Sequence, residues 1–250
     1  MRVAVLVSGR VHSAQDRTGL IRNNIRLKEK FPGADFYYGA WQSYKSEFDS
    51  VFPHETCEYF EEPVIHYHPY EISNKYHINK QFRDIAKSKW ALKAERKEWT
   101  SHHTKQILIH SWLLDRIKKE YDVIIRTRFD AFIHRSADFS SYVTDTFENN
   151  RANCFATTRK QLFAILCEQK KPKSNKDEWH WFCDQLIMHP SSFITKQVVD
   201  RLNQKKRLHP AEFGWAQVLS YPYGLSHRAH KGWVNHDRNI LDQFLKEEDR

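Results

Sequence analysis

Apolar and polar positions change period several times along the chain. Residues 2–8 (RVAVLVS) form an apolar run that stops at Ser8-Gly9-Arg10. Such a run suits a strand buried on both faces of a parallel sheet and entering a tight loop. Over residues 13–30 the period becomes helical, with Leu20, Ile21, Ile25 and Leu27 roughly on one face, and Pro32-Gly33 ends the pattern. Residues 34–39 (ADFYYG) read as a second strand, which makes a β-α-β unit and predicts a parallel sheet with flanking helices. A third strand is predicted at 62–67 (EPVIHY), helices at 76–99 and 103–119, and a short strand at 154–157. Residues 159–176 end in a lysine-rich stretch of loop composition, and 179–190 (WHWFCDQLIMHP) are rich in aromatics. Helices over 192–204 and 210–219 and a short final helix complete the pattern. With no repeat and no low-complexity linker, one domain is expected.

Residues 121–133 (YDVIIRTRFDAFI) drive an apolar strand into Arg126, Arg128 and Asp130. Strand alternation puts these three on one face and Thr127 and Phe129 on the other. In open α/β sheets ligands bind outside the carboxyl ends of the strands. The residue types allow two readings. Either the arginines hold a diphosphate or Asp130 a metal ion, or an internal Arg–Asp ion pair caps the sheet edge.

Composition narrows the classes. The 250 residues suit one large domain, and 40% hydrophobic content is enough to bury a core. No apolar run approaches the roughly 18 residues that cross a bilayer. The N-terminal apolar stretch lacks a cleavage site, so it reads as a strand and residence in the cytoplasm is expected. Cys57, Cys154, Cys167 and Cys183 form no CxxC pair, which argues against a disulfide framework or zinc ribbon. The pairs His66/His68 and His102/His103 and the group His227/His230/His236 have no standard zinc spacing. Net charge is +9, favouring an anionic partner: nucleic acid, lipid headgroups or a phosphorylated small molecule. Nine basic residues against three acidic fall between Lys75 and Lys105, so residues 80–97 offer a basic face.

Taken in order, VAVLVSGR, ADFYYGAW, YDVIIRTRFD and WFCDQLIMHP resemble the small GT-A-like glycosyltransferases of bacterial surface-polysaccharide loci and of viruses. The resemblance is a string of short motifs, and its most specific part is RTRFD combined with the later Asp184-Gln185 pair. It implies a GT-A-like (Rossmann-like) α/β domain with a mostly parallel central sheet flanked by helices. Residues 1–135 would form the nucleotide-sugar half, and 136–250 the acceptor half and tail. It also implies transfer of a sugar from a nucleotide-sugar to a hydroxyl. In that class an Asp-x-Asp motif ending a central strand binds the divalent ion, Mn or Mg, that neutralises the donor diphosphate. Here Phe129 precedes Asp130 and Phe132 stands where a second carboxylate would be. Arg126 and Arg128 are therefore expected to take part of the metal's role beside Asp130.

Other parts have candidates. Ser8, Gly9 and Arg10 would admit the nucleotide close to the backbone and donate to phosphate, or form an ordinary strand-to-helix turn. Asp35 can accept from a base or ribose, or cap a strand end. Asp184 is the candidate general base for the acceptor hydroxyl. Trp179 and Trp181 suit stacking on a sugar, with Gln185 beside them, or belong to the core. His236, with His227 and His230, is a candidate late metal or phosphate ligand against the alternative of a surface histidine. The acceptor is either a saccharide or a hydroxymethylated base in viral DNA, the basic face then tracking phosphates. A different class is a non-catalytic basic nucleic-acid-binding protein, although no recognition-helix, RNP-type or zinc-finger pattern is present.

Overall fold

The computed structural model describes residues 1–11, 17–63, 97–117, 119–156, 185–191, 227–231 and 233–235, without side-chain detail at 97–104, 156, 227–229, 231 and 235. The elements run β1 (Val3–Gly9), α1 (Arg17–Lys30), β2 (Asp35–Trp41), a 3-10 turn (Gln42–Tyr44), α2 (Lys45–Val51) and β3 (Cys57–Phe60). They continue with α3 (Lys97–Arg116), β4 (Val123–Thr127), β5 (Phe132–Ile133), α4 (Ser140–Glu148), β6 (Ala152–Ala156), β7 (Leu186–Pro190), β8 (His227–Lys231) and β9 (Val234–Asn235).

Seven of these strands pair into one sheet in the order β3-β2-β1-β4-β7-β6-β8. Neighbours are parallel except at β7, which runs antiparallel to both β4 and β6. Strands from before and after residue 135 therefore share one sheet. β5 and β9 form a separate antiparallel ladder with Phe132 opposite Asn235.

Alternation sorts the two faces. Val5, Val7, Val123, Ile125, Leu186 and Met188 pack with Leu20 and Leu27 of α1, Phe48 of α2 and Val143 of α4. On the other face Ala4, Leu6, Trp41 and Ile124 meet Ile109 and Leu113 of α3. Helices thus cover both faces of β1, which explains why that strand is apolar from Val3 to Val7. α3 approaches β2 so closely that a Cβ on Gly39 would lie 3.1 Å from Leu113 Cδ2.

Four differences from the sequence reading have physical causes. A strand at Cys57–Phe60 was not predicted, and Tyr59 and Phe60 anchor one face of it each; of the strand expected at 62–67, residues 62 and 63 are not in a strand and 64–67 lie outside the described residues. α2 and α4 were not predicted: both are short and carry few apolar residues, and packing of Phe48, Val51, Val143 and Thr146 holds them. The strand at 123–127 stops at Thr127, short of Asp130. The helices predicted at 192–204 and 210–219, the final helix and the basic face at 80–96 lie outside the described residues.

Candidate functional site

Beyond β4 the chain turns at once. Ala131 N donates to Arg128 O across 3.2 Å, so residues 128–131 form a tight turn and the strand alternation expected through Asp130 ends at Thr127. The three charged side chains therefore do not share one face. Arg126 is 0% exposed and points toward α3, where its Nη2 donates to Gln106 Oε1 at 3.0 Å. Arg128 and Asp130 instead bind one another: Nε to Oδ1 at 2.7 Å and Nη2 to Oδ2 at 2.5 Å, with side chains 21% and 18% exposed. This is the two-bond fork that arginine makes with a carboxylate. Phe129 goes the other way, into Tyr38, Phe48 and Phe52, and so anchors the turn from below.

Two further segments reach the same edge. Leu6 and Val7 pair with Arg126 and Thr127, so the next residues, Ser8 and Gly9, stand beside the start of the turn. Ser8 is fully buried and its Oγ has no hydrogen-bond partner among the described residues. Gly9 has φ of +133°, a backbone region that side chains rarely adopt, and nothing lies within 4 Å of where a Cβ would be. Backbone conformation, rather than crowding, calls for glycine there. Arg10 is exposed, with its guanidinium 5.1 Å from the ring centre of Tyr44. From the other direction β7 begins opposite Thr127, and Thr127 Oγ1 donates to Gln185 O at 3.1 Å. The RTRFD segment and the second half of the Asp184-Gln185 pair therefore meet, although 55 or more positions separate them in sequence.

Beneath this edge, on the α3 side, lies a buried polar column that the motifs did not reveal. His110 Nε2 and His189 Nε2 are 3.3 Å apart, both rings fully buried, and His189 Nδ1 lies 2.9 Å from Pro190 O. A carbonyl only accepts, so His189 carries its proton on Nδ1 and His110 donates to it from Nε2. Burial holds the His110 pKa well below the usual imidazole value, helped by His189 and by the Arg126 charge. Burial likewise lowers His189 to about 4. A signal was present: each histidine interrupts an apolar run, ILIHSWLL and LIMHP, where only an inward ring fits the pattern.

Asn23 was also missed. It is buried on α1, its Nδ2 donates to Ala131 O at 3.1 Å, and its Oδ1 accepts from Ile133 N at 2.9 Å. Arg26 adds a bond to Ile133 O at 2.9 Å. α1 thereby clamps the exit of the Arg128–Asp130 turn. Asparagine is a poor residue for a helix interior, and that was the available signal.

Asp35 does not join the group. It opens β2 at the amino end of the strands, where Tyr121 Oη donates to it at 2.6 Å and Lys119 Nζ at 3.1 Å. Those bonds, Tyr121 first and then Lys119, lower its pKa. It caps a strand end, the alternative weighed against a nucleotide contact. Asp184, Trp179, Trp181 and His236 lie outside the described residues. His230 is placed on β8, its Nε2 2.8 Å from Asn153 Oδ1 and its ring against Tyr142 and Phe155. Among the described residues no three His, Cys, Asp or Glu side chains gather as a metal site, and no helix is long and apolar enough to cross a membrane.

No family model and no curated protein matches the chain. Among solved structures it is similar to 4-diphosphocytidyl-2C-methyl-D-erythritol synthase of Anaerococcus prevotii, with TM-score 0.51 and 6% identity over 100% of this chain and 96% of that one. It is also matched with core-mannan synthase A of Aspergillus fumigatus, with TM-score 0.42 and 13% identity over 88% and 67% of the two chains. A third match is a glycosyltransferase involved in glycosylation of the major capsid of PBCV-1, with TM-score 0.40 and 11% identity over 99% and 100%. At 6% identity the likeness to the synthase shows the fold alone, an α/β architecture with a mostly parallel sheet between helices.

Proposed function

We propose that the chain is a nucleotide-sugar-dependent glycosyltransferase. The observation that supports this most is convergence: Ser8-Gly9-Arg10, the Arg128–Asp130 turn and Gln185 meet at the carboxyl edge of β1 and β4. Ligands of open α/β sheets bind at such an edge.

Arg128 offers a cation at the edge, and Asp130 holds its guanidinium in one orientation, so a donor diphosphate meets a charge already in place. Arg10 adds a second, exposed cation, and Gly9 lets the backbone approach the donor. Arg126 is too deeply buried to touch a ligand; it braces the strand end against α3. In transfer, the acceptor oxygen bonds to the anomeric carbon as the bond from that carbon to the diphosphate oxygen breaks. The electron pair leaves with the diphosphate, and the acceptor proton passes to Asp184, the neighbour of Gln185. Trp179 and Trp181 keep the role of stacking on the acceptor.

Asp130 as placed does not fit a divalent ion, because both its oxygens are engaged by Arg128. The cations on the diphosphate are Arg128 and Arg10. The acceptor is a hydroxyl, either of a saccharide or of a hydroxymethylated DNA base. A hydroxymethylated DNA base would draw on the basic face at 80–97.

The test is release of nucleoside diphosphate from a panel of nucleotide-sugars, with simple sugars as acceptors and with or without manganese. Wild type should turn over one donor, and Asp184→Asn and Arg128→Ala should each lower kcat/KM by about a hundredfold or more while both variants remain folded by circular dichroism. Turnover of no donor, or undiminished turnover in both variants, refutes the proposal.

A further inference from the structure

The two cations at the carboxyl edge are held in different ways. Arg128 is gripped by a carboxylate, so the Arg128–Asp130 fork brings one positive and one negative charge to the edge. Arg10 lies instead over an aromatic ring, its guanidinium carbon 5.1 Å from the centre of Tyr44. A ring face orients a cation without cancelling its charge. Among the described residues no carboxylate pairs with Arg10, and its side chain is exposed. The carboxylates whose charge reaches Tyr44 have other partners: Glu62 takes Lys105 Nζ at 2.8 Å, and Glu47 accepts from Ser46 Oγ at 2.9 Å.

Both members of the contact are fixed from behind. Arg10 sits between the last residue of β1 and Val11, which is 1% exposed in the core, so its backbone is pinned on both sides. Tyr44 closes the 3-10 turn just past β2, and its half-buried ring packs against the cluster that contains Trp41, Phe60 and Ile109. Gly9 pairs with Ala40, so the two segments leave the sheet side by side. Burial raises the Tyr44 phenol above its ordinary pKa. The hydroxyl therefore stays uncharged at neutral pH, and the contact is one of cation and ring face.

We infer that Tyr44 is a positioning residue: it holds Arg10 as the net positive charge that draws the donor diphosphate to the carboxyl edge. The Arg128–Asp130 fork, whose charges balance, then aims N–H donors at the same group. This division of labour rests on the nucleotide-sugar reading above. An unsupported arginine loses rotamer freedom when it binds, and a ring that orders it beforehand removes that loss. An exposed cation–ring contact contributes a factor of about two to five. With the guanidinium over it, that face of Tyr44 is closed to a nucleobase.

The experiment is calorimetric titration of the full chain with the diphosphates of uridine, guanosine, cytidine, adenosine and thymidine, and with the matching nucleosides, at low and high salt. Wild type should bind one diphosphate, and more weakly at high salt. Arg10→Ala should lose about tenfold or more for that diphosphate, lose most of the salt dependence, and keep its affinity for the nucleoside. Tyr44→Leu should lose about two- to fivefold for the diphosphate alone, and Tyr44→Phe should match wild type. Arg10→Ala/Tyr44→Leu should lose no more than Arg10→Ala, because the ring acts through the arginine. Circular dichroism checks that each variant is folded. Losses that add in the double variant, or a nucleoside loss in Tyr44→Leu, overturn the inference, since Tyr44 then acts independently of Arg10. So does Arg10→Ala with wild-type affinity and salt dependence, on an exposed side chain and with no Tyr44 variant needed. If Arg128→Ala still weakens the diphosphate in that case, the transferase reading stands and only this inference falls. Wild type that binds no diphosphate removes both.

Discussion

Acidification should destabilise the protein through one buried contact, that of His110 with His189 at 3.3 Å. Both rings are neutral in the fold, and His189 titrates at about 4, against about 6.5 in an unfolded chain. Between those values the unfolded chain takes up a proton that the folded chain refuses. Stability therefore rises with pH across this window and is lost as pH falls through it. For His189 alone the loss between about pH 7 and about pH 5 is ~2 kcal/mol. His110, lowered by burial, by His189 and by Arg126, adds to it with the same sign. The lowered carboxylates Asp35, Asp49 and Asp138 act at lower pH, since their contributions persist until pH falls below the ordinary carboxylate value. The assay is urea unfolding across that pH range for wild type and for His110→Leu/His189→Leu. Wild type should lose about 2 kcal/mol or more, and the double variant should lose markedly less. An equal loss in both, or none in wild type, would show that the buried pair does not carry the effect.

Asn23→Leu should cost about 2–4 kcal/mol in urea unfolding, because Ala131 O and Ile133 N lose their buried partner. An unchanged unfolding midpoint would mean that α1 does not clamp the turn. Gly39→Ala should cost about 1 kcal/mol, since the new methyl meets Leu113 Cδ2 at 3.1 Å. Gly39→Val should cost more, and a variant as stable as wild type would contradict the close packing of α3 on β2.

The elements that could be read from sequence are those whose pattern is local. β1 and β2 announced themselves by apolar runs, and α1 by a helical period cut off at Pro32-Gly33. β4 was legible to Thr127 and misread beyond it, because alternation is a property of an extended strand and Arg128 already belongs to a turn. Phe129 was placed on the correct side, yet its partners Tyr38, Phe48 and Phe52 come from other elements. The fate of Arg126 was not legible at all. Its strand position names a face, but whether that face is open or roofed depends on α3, which supplies Gln106 from twenty positions away. The insertion of antiparallel β7 between β4 and β6 is likewise a non-local pairing, and it alone brings Gln185 to the end of β4.

The most direct measurement of the central claim is calorimetric titration of wild type and Arg128→Ala with a nucleoside diphosphate and with its parent nucleoside. If the Arg128 guanidinium grips the diphosphate, the variant should lose about ten- to a hundredfold in affinity for the diphosphate and keep its affinity for the nucleoside. Equal losses for both ligands, or no loss for either, would contradict a diphosphate seat at the end of β4.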